Sequence, residues 1–436
     1  MSGGGDNRAM TRDIAADALD LKEYIRPGDR IVVGQGGAEA LTLSEILVRQ
    51  RAPLGRVSLF LGPAFAGSFR PEHADHLAFT AYAASGSNQA LARAGLLDIM
   101  PVHYSELSAL FSAGETRAEI VLLQLAPEGR RLGMANDYQI DAARRARVVI
   151  VEINERVPET PGSELPDDIR IDVVIRSARE PAMMMPASLG AAEAQIAERV
   201  ASLVPDGATL ELGIGALPDA ILAALTGHRD LGLHSGMLGD GVVTLAEAGA
   251  LTNARKPIDT GISIGGLLFG TRRLFDFAHR NPALRLMPPT YTHGHQMLRQ
   301  LPSFIAINSA VEADLTGQVN GESLGGAYVG AIGGQVDFMR GAIAAGGRSI
   351  IALPATAKGG TVSRITAKLG DAIVTSLRSD MDTIVTEYGI AELRHRSLAE
   401  RARRMIAIAA PQFREELERA AHALLKAGEE GKKESP

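Results

Sequence analysis

The chain has 436 residues, more than one hydrophobic core usually serves, so we expect two domains of roughly 200 residues each. The formal net charge of −6 provides no positive field for a polyanion, so we expect no nucleic-acid partner. Cysteine is absent, which excludes disulfides, thiolate nucleophiles and cysteine-ligated metals and agrees with a reducing cytoplasm.

The two ends of the chain carry no targeting pattern. The N-terminal stretch MSGGGDNRAMTRDIAAD has no apolar segment behind a basic start, so we expect no secretory signal. Apolar runs elsewhere are too short to span a membrane. We therefore expect a cytoplasmic protein without membrane contact, with this stretch and the C-terminal KAGEEGKKESP as frayed tails.

The first half alternates predicted helices and strands. DIAADALDLKEYI predicts a polar helix, and RIVVGQGG predicts a strand that runs into glycines before the helical pattern AEALTLSEILVRQR. VSLFLGP, AEIVLLQLAP and RARVVIVEIN predict further short buried strands, and SNQALARAGLL predicts a helix between them. This alternation favours a parallel sheet covered by helices.

A connector rich in proline and acidic residues, NERVPETPGSELPDDIR, interrupts this pattern, and we place the domain boundary near residue 190. The predicted domains are 1–190 and 191–436. AERVASLVPDGATLELGIGALPDAILAALTG then repeats the order of EYIRPGDRIVVGQGGAEALTLSEIL: helix, proline-containing turn, strand, glycine loop, helix. We predict two related open-sheet α/β domains, although convergent α/β construction would give the same order.

Two glycine loops are candidates for ligand contact. Gly213, Gly215 and Pro218 follow a predicted strand and open a predicted helix, where backbone amides can face an anion or a thioester oxygen. A tight turn that packs strand against helix is the alternative. The second loop has five glycines between Gly325 and Gly334, and it predicts the close approach of a long phosphate-bearing ligand to Gly330, Gly333, Gly334 and Gln335.

Two pairs of polar side chains stand two residues apart. Glu312 and Asp314 lie on one face of a predicted strand, where they either catalyse or pin the next loop. His293 and His295 have the spacing of a metal pair, but no third ligand stands at a recognisable spacing. We predict no metal site.

The chain resembles the acetyl-CoA hydrolase/transferase family, the group that contains 4-hydroxybutyrate CoA-transferase. The resemblance runs from about residue 20 to 420 and is densest in seven ordered motifs, VVIVEINERVPETPG, DGATLELGIGALPDAI, LGLHSGMLGDGVVTLAEAGALTNARK, INSAVEADLTGQVNGES, GAIGGQVDFMRGA, GGRSIIALPATAKGGTVSRI and IVTEYGIAEL. It implies two open-sheet α/β domains of the CoA-transferase (NagB/RpiA-like) type with the active site between them.

The resemblance also implies the chemistry. A short-chain acyl-CoA is the substrate, a carboxylate or water is the acceptor, no cofactor is bound permanently, and the protein is a homodimer. In the family a glutamate attacks the thioester and gives an acyl-glutamyl anhydride, which then becomes a glutamyl-CoA thioester. The Gly-Ile-Gly and Gly-Gly-Gln loops supply amide donors, and the second lies along the CoA.

The catalytic glutamate of the family falls in a motif His-Ser-Glu-Met, which here reads His234, Ser235, Gly236 and Met237. Three explanations follow for the glycine. In the first, transfer proceeds by another route, through a carboxylate such as Glu312 or by direct attack of the acceptor. In the second, the vacated space holds water and the protein is a hydrolase. In the third, the protein is a catalytically altered or silent CoA-ester binding protein. His234 is the nearest candidate base, and pinning the loop is its alternative role.

One further departure from the family is the pair Arg130 and Arg131 in LAPEGRRLGMAND. At an active site these arginines would suit an acyl group that carries its own carboxylate. A solvated surface loop is the alternative.

Overall fold

The structure, a computed structural model, describes residues 11–185 and 188–430. The chain divides into two compact units. The first contains the described residues up to 100 together with 106–183 and 278–281, and the second contains 101–105, the described residues of 184–277, and those from 282 onwards. The main division thus falls after Met183, where the sequence had suggested residue 190.

The first unit is built on one sheet of eight strands. All neighbouring strands are parallel, in the order β1-β8-β7-β6-β2-β3-β4-β5. The strands are β1 (Arg12–Asp13), β2 (Arg30–Val33), β3 (Val57–Leu61), β4 (Leu77–Ala81), β5 (Leu97–Ile99), β6 (Ile120–Leu125), β7 (Val148–Asn154) and β8 (Val173–Ser177). The helices are α1 (Leu41–Gln50), α2 (Asn88–Arg93), α3 (Leu107–Ala113) and α4 (Gln139–Arg145). Short 3-10 helices lie at Leu21–Glu23, Gly36–Ala38, Ala52–Leu54 and Pro71–Asp75. A further 3-10 helix, Tyr104–Glu106, begins in the segment 101–105 that belongs to the second unit.

The strands at the centre of this sheet are mainly apolar and are buried along almost their whole length. Every residue of β6 is buried, and so are all but one of β7. A parallel strand covered on both faces needs such a run rather than an alternation, because neither face meets water. The predicted strands VSLFLGP, AEIVLLQLAP and RARVVIVEIN are therefore confirmed.

The predicted polar helix DIAADALDLKEYI is wrong. The amides of Arg12 and Ile14 bond to carbonyls of Asp172 and Val174, which makes residues 12–13 an edge strand beside β8. The rest forms a turn and the 3-10 helix Leu21–Glu23, in which Leu21 is buried in the core. The predicted N-terminal tail is therefore ordered over 12–13, and residues 1–10 lie outside the described residues.

The second unit holds a sheet of six strands in the order β10-β9-β15-β20-β24-β25, with smaller sheets beside it. Its strands are β9 (Thr209–Leu212), β10 (Gly232–Leu233), β11 (Met237–Leu238), β12 (Ser263–Gly265), β13 (Leu267–Leu268), β14 (Leu284–Leu286), β15 (Phe304–Ser309), β16 (Glu312–Asp314), β17 (Val319–Asn320), β18 (Ser323–Leu324), β19 (Ala327–Tyr328), β20 (Arg348–Ala352), β21 (Thr356–Ala357), β22 (Val362–Ser363), β23 (Ile365–Thr366), β24 (Thr383–Thr386) and β25 (Gly389–Glu392). Its helices are α5 (Ala191–Ala201), α6 (Ala216–Ala224), α7 (Asp240–Glu247), α8 (Arg272–Ala278), α9 (Pro289–Thr292), α10 (His295–Leu298), α11 (Gln335–Ala344), α12 (Leu398–Ile408) and α13 (Pro411–Glu430).

The C-terminal tail prediction is also wrong over its described part, because residues 426–430 continue helix α13. Residues 431–436 lie outside the described residues. No helix in the described part of the chain is long and apolar enough to cross a membrane.

The two main sheets share a strand order. In the first unit β2 has β3 on one side and β6, β7 and β8 in succession on the other. In the second unit β9 has β10 on one side and β15, β20 and β24 on the other. Each unit is thus built on an open, mainly parallel α/β sheet, as the repeated order of the sequence predicts. In the second main sheet only β24 and β25 pair antiparallel.

Candidate functional site

The segment that carries Gly236 joins β10 to β11 in the second unit. The amides of His234 and Ser235 donate to carbonyls of Leu210 and Ile264. The Ser235 hydroxyl lies within hydrogen-bond distance of two carbonyls, at 3.0 and 2.9 Å, so its proton is held by the backbone and it is no free nucleophile. The Gly236 carbonyl accepts from the amides of Gly266 and Leu267 at 3.2 and 3.1 Å. Position 236 is therefore fixed by backbone hydrogen bonds on both sides.

The imidazole of His293 occupies the side-chain space of Gly236. A Cβ added at Gly236 would lie 2.8 Å from both Cε1 and Nε2 of His293 and 3.3 Å from Cε2 of Phe338. A Cβ added at Gly334 would overlap Nε2 of the same ring. A side chain from another segment thus fills the space next to Gly236 where the hypothesis of a hydrolase places water. The sequence had singled out His293 only as a metal candidate.

The His293 ring is almost entirely enclosed, with 5% of the residue exposed. Its centroid lies 4.7 Å from the ring of Tyr104 and 4.4 Å from that of Phe338. A hydrogen bond of 2.8 Å joins Nδ1 to the Thr292 hydroxyl. Burial, with a smaller effect of His234, lowers the pKa of His293 to about 3, so the ring is neutral at physiological pH.

His234 holds the segment that carries His293. It is fully buried, and its Nε2 donates to the Thr292 carbonyl at 3.1 Å. A carbonyl only accepts, so Nδ1 carries the lone pair, and this atom has no hydrogen-bond partner among the described residues. Burial and the charge of Lys256 lower the pKa of His234 to about 4. The contact found for His234 is therefore the pinning bond.

Lys256 is a second buried titratable group beside this segment. Its ammonium donates to the carbonyls of Leu233 and Ile262 at 3.0 and 2.7 Å. Burial lowers its pKa to about 8. It thereby links the end of β10 to the segment that precedes β12.

The first glycine loop leaves open space beside its backbone. Gly213 follows β9, and Gly215 precedes α6 with φ +113°, a conformation that favours glycine. A Cβ added at either glycine would meet nothing within 4 Å. Pro218 is buried in the first turn of the helix. Unlike a loop closed by packing, this one leaves room for a ligand to reach the backbone.

The second glycine loop serves packing at most of its predicted positions. A Cβ added at Gly330 would overlap the Gly321 carbonyl, because the chain turns back on itself there. Gly334 faces the His293 ring, and Gln335 is buried and donates to the Ser376 hydroxyl at 2.7 Å. Gly333, with φ +54°, has nothing within 4 Å of an added Cβ.

The carboxylate pair in β16 pins the adjoining turns. Asp314 is buried and its Oδ1 accepts from the amide and hydroxyl of Thr316 and from the amide of Gln318, at 2.9, 2.7 and 3.0 Å. Glu312 accepts from the Asn320 amide at 2.9 Å. Within the described residues no hydrogen bond joins Glu312 to the segment 234–237. These contacts match the pinning role and give no support to catalysis by Glu312.

A buried carboxyl group that sequence reasoning missed lies close in sequence to the first glycine loop. Glu211 in β9 is 3% exposed and accepts from the Asn308 amide at 2.8 Å. Burial raises its pKa to about 8, so it is mainly protonated at pH 7. The signal was a single acidic residue inside the apolar run TLEL that ends in the glycine loop.

The remaining candidates lie elsewhere. Arg131 forms ion pairs with Glu128 and Glu164 at 2.9 and 3.2 Å and, with the exposed Arg130, lines a surface cavity of about 600 Å³ in the first unit. This agrees with a solvated loop. His295 is the exposed first residue of α10, and no group of three or more potential metal ligands occurs among the residues described.

Comparison with known proteins identifies the family. The sequence model of the acetyl-CoA hydrolase/transferase C-terminal domain matches residues 270–421. The 4-hydroxybutyrate coenzyme A transferase of Clostridium kluyveri is 38% identical over 348 residues, which are 78% of this chain and 81% of that protein. The succinyl-CoA:acetate/propanoyl-CoA:succinate CoA transferase of Fasciola hepatica is 35% identical over 360 residues, covering 80% of this chain and 75% of that one.

A solved structure extends the likeness to both units. RipA from Yersinia pestis matches with a TM-score of 0.89 and 31% identity, over 95% of this chain and 97% of that chain. The matched relatives thus span most of the sequence and share its architecture. The chain belongs to the acetyl-CoA hydrolase/transferase family, and it is an enzyme of the CoA-transferase and thioester-hydrolase class.

Proposed function

We propose that this protein transfers CoA between short-chain carboxylic acids by direct attack of the acceptor on the thioester, without a glutamyl intermediate at position 236. The observation that carries the proposal is the imidazole of His293 in the side-chain space of Gly236. The named relatives act on 4-hydroxybutyrate, succinate, acetate and propanoate, all short carboxylic acids, which supports a short acyl group here.

The proposed reaction takes place in one ternary complex. An oxygen of the acceptor carboxylate attacks the thioester carbonyl carbon, the C–S bond breaks, and CoA leaves as a thiolate. The thiolate then attacks the acceptor carbonyl of the mixed anhydride, and the donor acid leaves as its carboxylate. No net proton is gained or lost, and holding both reactants together replaces the covalent intermediate of the family.

Backbone amides are the proposed CoA contacts. Gly213 and Gly215 have free space beside the backbone at the start of α6, where amide groups and the helix dipole favour an anionic oxygen. Gly333 has the same free space at the second loop. Gly330, Gly334 and Gln335 contribute through the shape of that loop, since their own contacts are with protein atoms.

Two other routes remain as outcomes of the test. Hydrolysis needs a water that is activated near the thioester, and the neutral His293 and the pinned His234 are poor bases for it. A silent CoA-ester binding protein gains no support from the relatives, which are named as transferases.

The deciding experiment incubates the protein with acetyl-, butyryl- or succinyl-CoA and an isotopically labelled carboxylate. Mass spectrometry follows the acyl group on CoA, and a thiol reagent follows free CoA. Exchange without net thiol release supports transfer, whereas thiol release alone shows a hydrolase and overturns the proposal. Binding without turnover shows a silent protein and overturns it as well.

Kinetics and trapping test the route. Initial-rate lines for the two substrates should intersect, as a ternary complex requires, and parallel lines would indicate a covalent intermediate. Hydroxylamine or borohydride added during turnover should leave every glutamate unmodified. A mass-labelled glutamate would disprove the direct route.

We also propose a cytoplasmic homodimer with no permanently bound cofactor, as the resemblance implies. Light scattering checks the mass in solution, and a monomer would contradict the assembly. Intact mass spectrometry of the native protein checks for a retained cofactor, and cell fractionation checks the location.

A further inference from the structure

The Nε2 atom of His293 lies at the distance from position 236 that a glutamate carboxyl group would have. It is 2.8 Å from the Cβ position of residue 236. In a glutamate, covalent geometry puts the carboxyl carbon and oxygens about 2.5 to 3.6 Å from Cβ. The imidazole nitrogen therefore lies as far from the Cβ position of residue 236 as the missing carboxyl group would.

The contacts of Thr292 bear on which ring nitrogen carries the proton. Its hydroxyl has one hydrogen and two possible acceptors, Nδ1 of His293 at 2.8 Å and the Pro288 carbonyl at 3.3 Å. The Pro288 carbonyl already accepts from the amides of Tyr291 and Thr292 at 2.8 and 3.0 Å, which uses both of its lone pairs. Donation to Nδ1 is the shorter of the two contacts and uses an acceptor with no other partner, so we assign the hydroxyl proton to it. In the neutral ring this assignment leaves the proton on Nε2.

This N–H group has no hydrogen-bond partner within the described part of the chain. The rings of Tyr104 and Phe338 lie against the imidazole at 4.7 and 4.4 Å, each tilted by 44° to it. The position therefore favours a ligand that brings an oxygen acceptor.

We propose that the Nε2–H group of His293 donates a hydrogen bond to the thioester carbonyl oxygen and stabilises the negative charge that develops there during attack. The inference rests on the proposed transfer reaction and assigns a catalytic residue to it. At this position the family has a negatively charged nucleophile, whereas this chain would have a neutral hydrogen-bond donor. A donor suits direct attack, because the incoming carboxylate brings negative charge to the carbonyl.

The low pKa of His293 is consistent with this role. A ring that stays neutral keeps its proton on Nε2 when a substrate arrives, and it neither takes nor loses a proton in the working range. A buried neutral imidazole is known to polarise a carbonyl in this way in other enzymes. The titratable groups around this segment are His234, Lys256 and Asp259, and of these only His234 acts on the pKa of His293, which it lowers further.

Two matched variants separate hydrogen bonding from packing. His293→Phe keeps an aromatic ring between Tyr104 and Phe338 but has no N–H, so kcat should fall by about 100-fold while CoA-ester binding changes little. His293→Gln loses the ring but offers an amide N–H, and it should exceed the Phe variant in kcat by about tenfold or more. A packing role predicts the opposite order, with Phe near the parent and Gln worse, and that result overturns the inference.

Nitrogen NMR of the parent protein gives a test that needs no variant. The ¹⁵N shifts of His293 should show a protonated Nε2 and a bare Nδ1, unchanged between about pH 5 and 8. Addition of butyryl-CoA should shift the Nε2 proton. A proton on Nδ1, or an Nε2 signal indifferent to the ligand, overturns the inference even if the Phe variant does not fold.

The same data distinguish this inference from the proposed function. If the parent protein exchanges no acyl groups, the transfer reaction fails, while the ligand-induced shift still reports on the donor. If the parent exchanges acyl groups and His293→Phe does so within about threefold, only the role of His293 fails.

Discussion

Restoring the glutamate of the family at position 236 is the simplest test of a lost nucleophile, and the structure predicts that it fails by itself. The first side-chain carbon of Gly236→Glu would lie 2.8 Å from two atoms of the His293 ring and 3.3 Å from Phe338. Carbon and nitrogen atoms that are not bonded need about 3.5 Å or more. The ring or the backbone has to move before the remaining four atoms of the side chain find room.

The cost follows from this overlap. Inserting a side chain into a filled, buried site costs about 1–3 kcal/mol. For a unit of this size a loss of 1 kcal/mol lowers Tm by about 2–4 °C, so we expect a decrease of about 2–12 °C. Desolvation of the new carboxylate adds to it and raises its pKa, which makes it a poorer nucleophile at neutral pH.

A second substitution should reverse this loss. In Gly236→Glu combined with His293→Gly the ring is gone, so the carboxylate has the space that the imidazole filled. We expect Tm to recover part of the loss and acyl exchange to switch to parallel initial-rate lines with a trappable glutamyl intermediate.

Scanning calorimetry and the exchange assay measure both effects. Gly227→Glu is the matched control, because Gly227 is exposed and an added Cβ there meets nothing within 4 Å. If Gly236→Glu alone is as stable as this control and raises exchange, the imidazole does not block position 236 and the reasoning is refuted.

Three further predictions follow from other contacts. Glu211→Gln should stabilise the protein at pH 8 and not at pH 4, because burial raises the folded pKa of Glu211 to about 8, above its unfolded value of 4.5. The free-energy cost of folding with this group therefore grows as pH rises between these values and reaches up to about 3 kcal/mol at pH 7. Urea unfolding at both pH values measures the effect, and equal gains in stability at the two would contradict it. Gly213→Ala, with open space around the added carbon, should leave Tm unchanged and raise KM for acyl-CoA, and an unchanged KM would remove Gly213 from the CoA contacts. Asp314→Asn should lower the free energy of unfolding by about 1–3 kcal/mol because it weakens the bonds to Thr316 and Gln318, with kcat unaffected; a selective loss of kcat would assign the pair to catalysis.

The sequence by itself was sufficient for the architecture. Mainly apolar runs such as IVLLQL in β6 indicate burial on both faces, and their alternation with helices predicts a parallel sheet. The glycines at 213 and 215 marked the end of β9 and the start of α6, and Gly215 has a positive φ that other residues avoid. The helix predicted before β2 failed, since strand pairing of residues 12–14 with the chain at 172–174 outweighed local helix preference.

The sequence also showed that position 236 lacks a nucleophile, but it left the vacated space undefined. Only the tertiary structure decided that His293 fills it, because the ring and the glycine are 57 residues apart and meet through the turn that Thr292 and His234 hold together. The charge state of the His293 ring is likewise decided by the tertiary structure. Spacing in the sequence made His293 a metal candidate, whereas enclosure by Tyr104 and Phe338 makes it a neutral imidazole. Burial and the direction of a hydrogen bond depend on neighbours that are distant in sequence, so no local pattern encodes them.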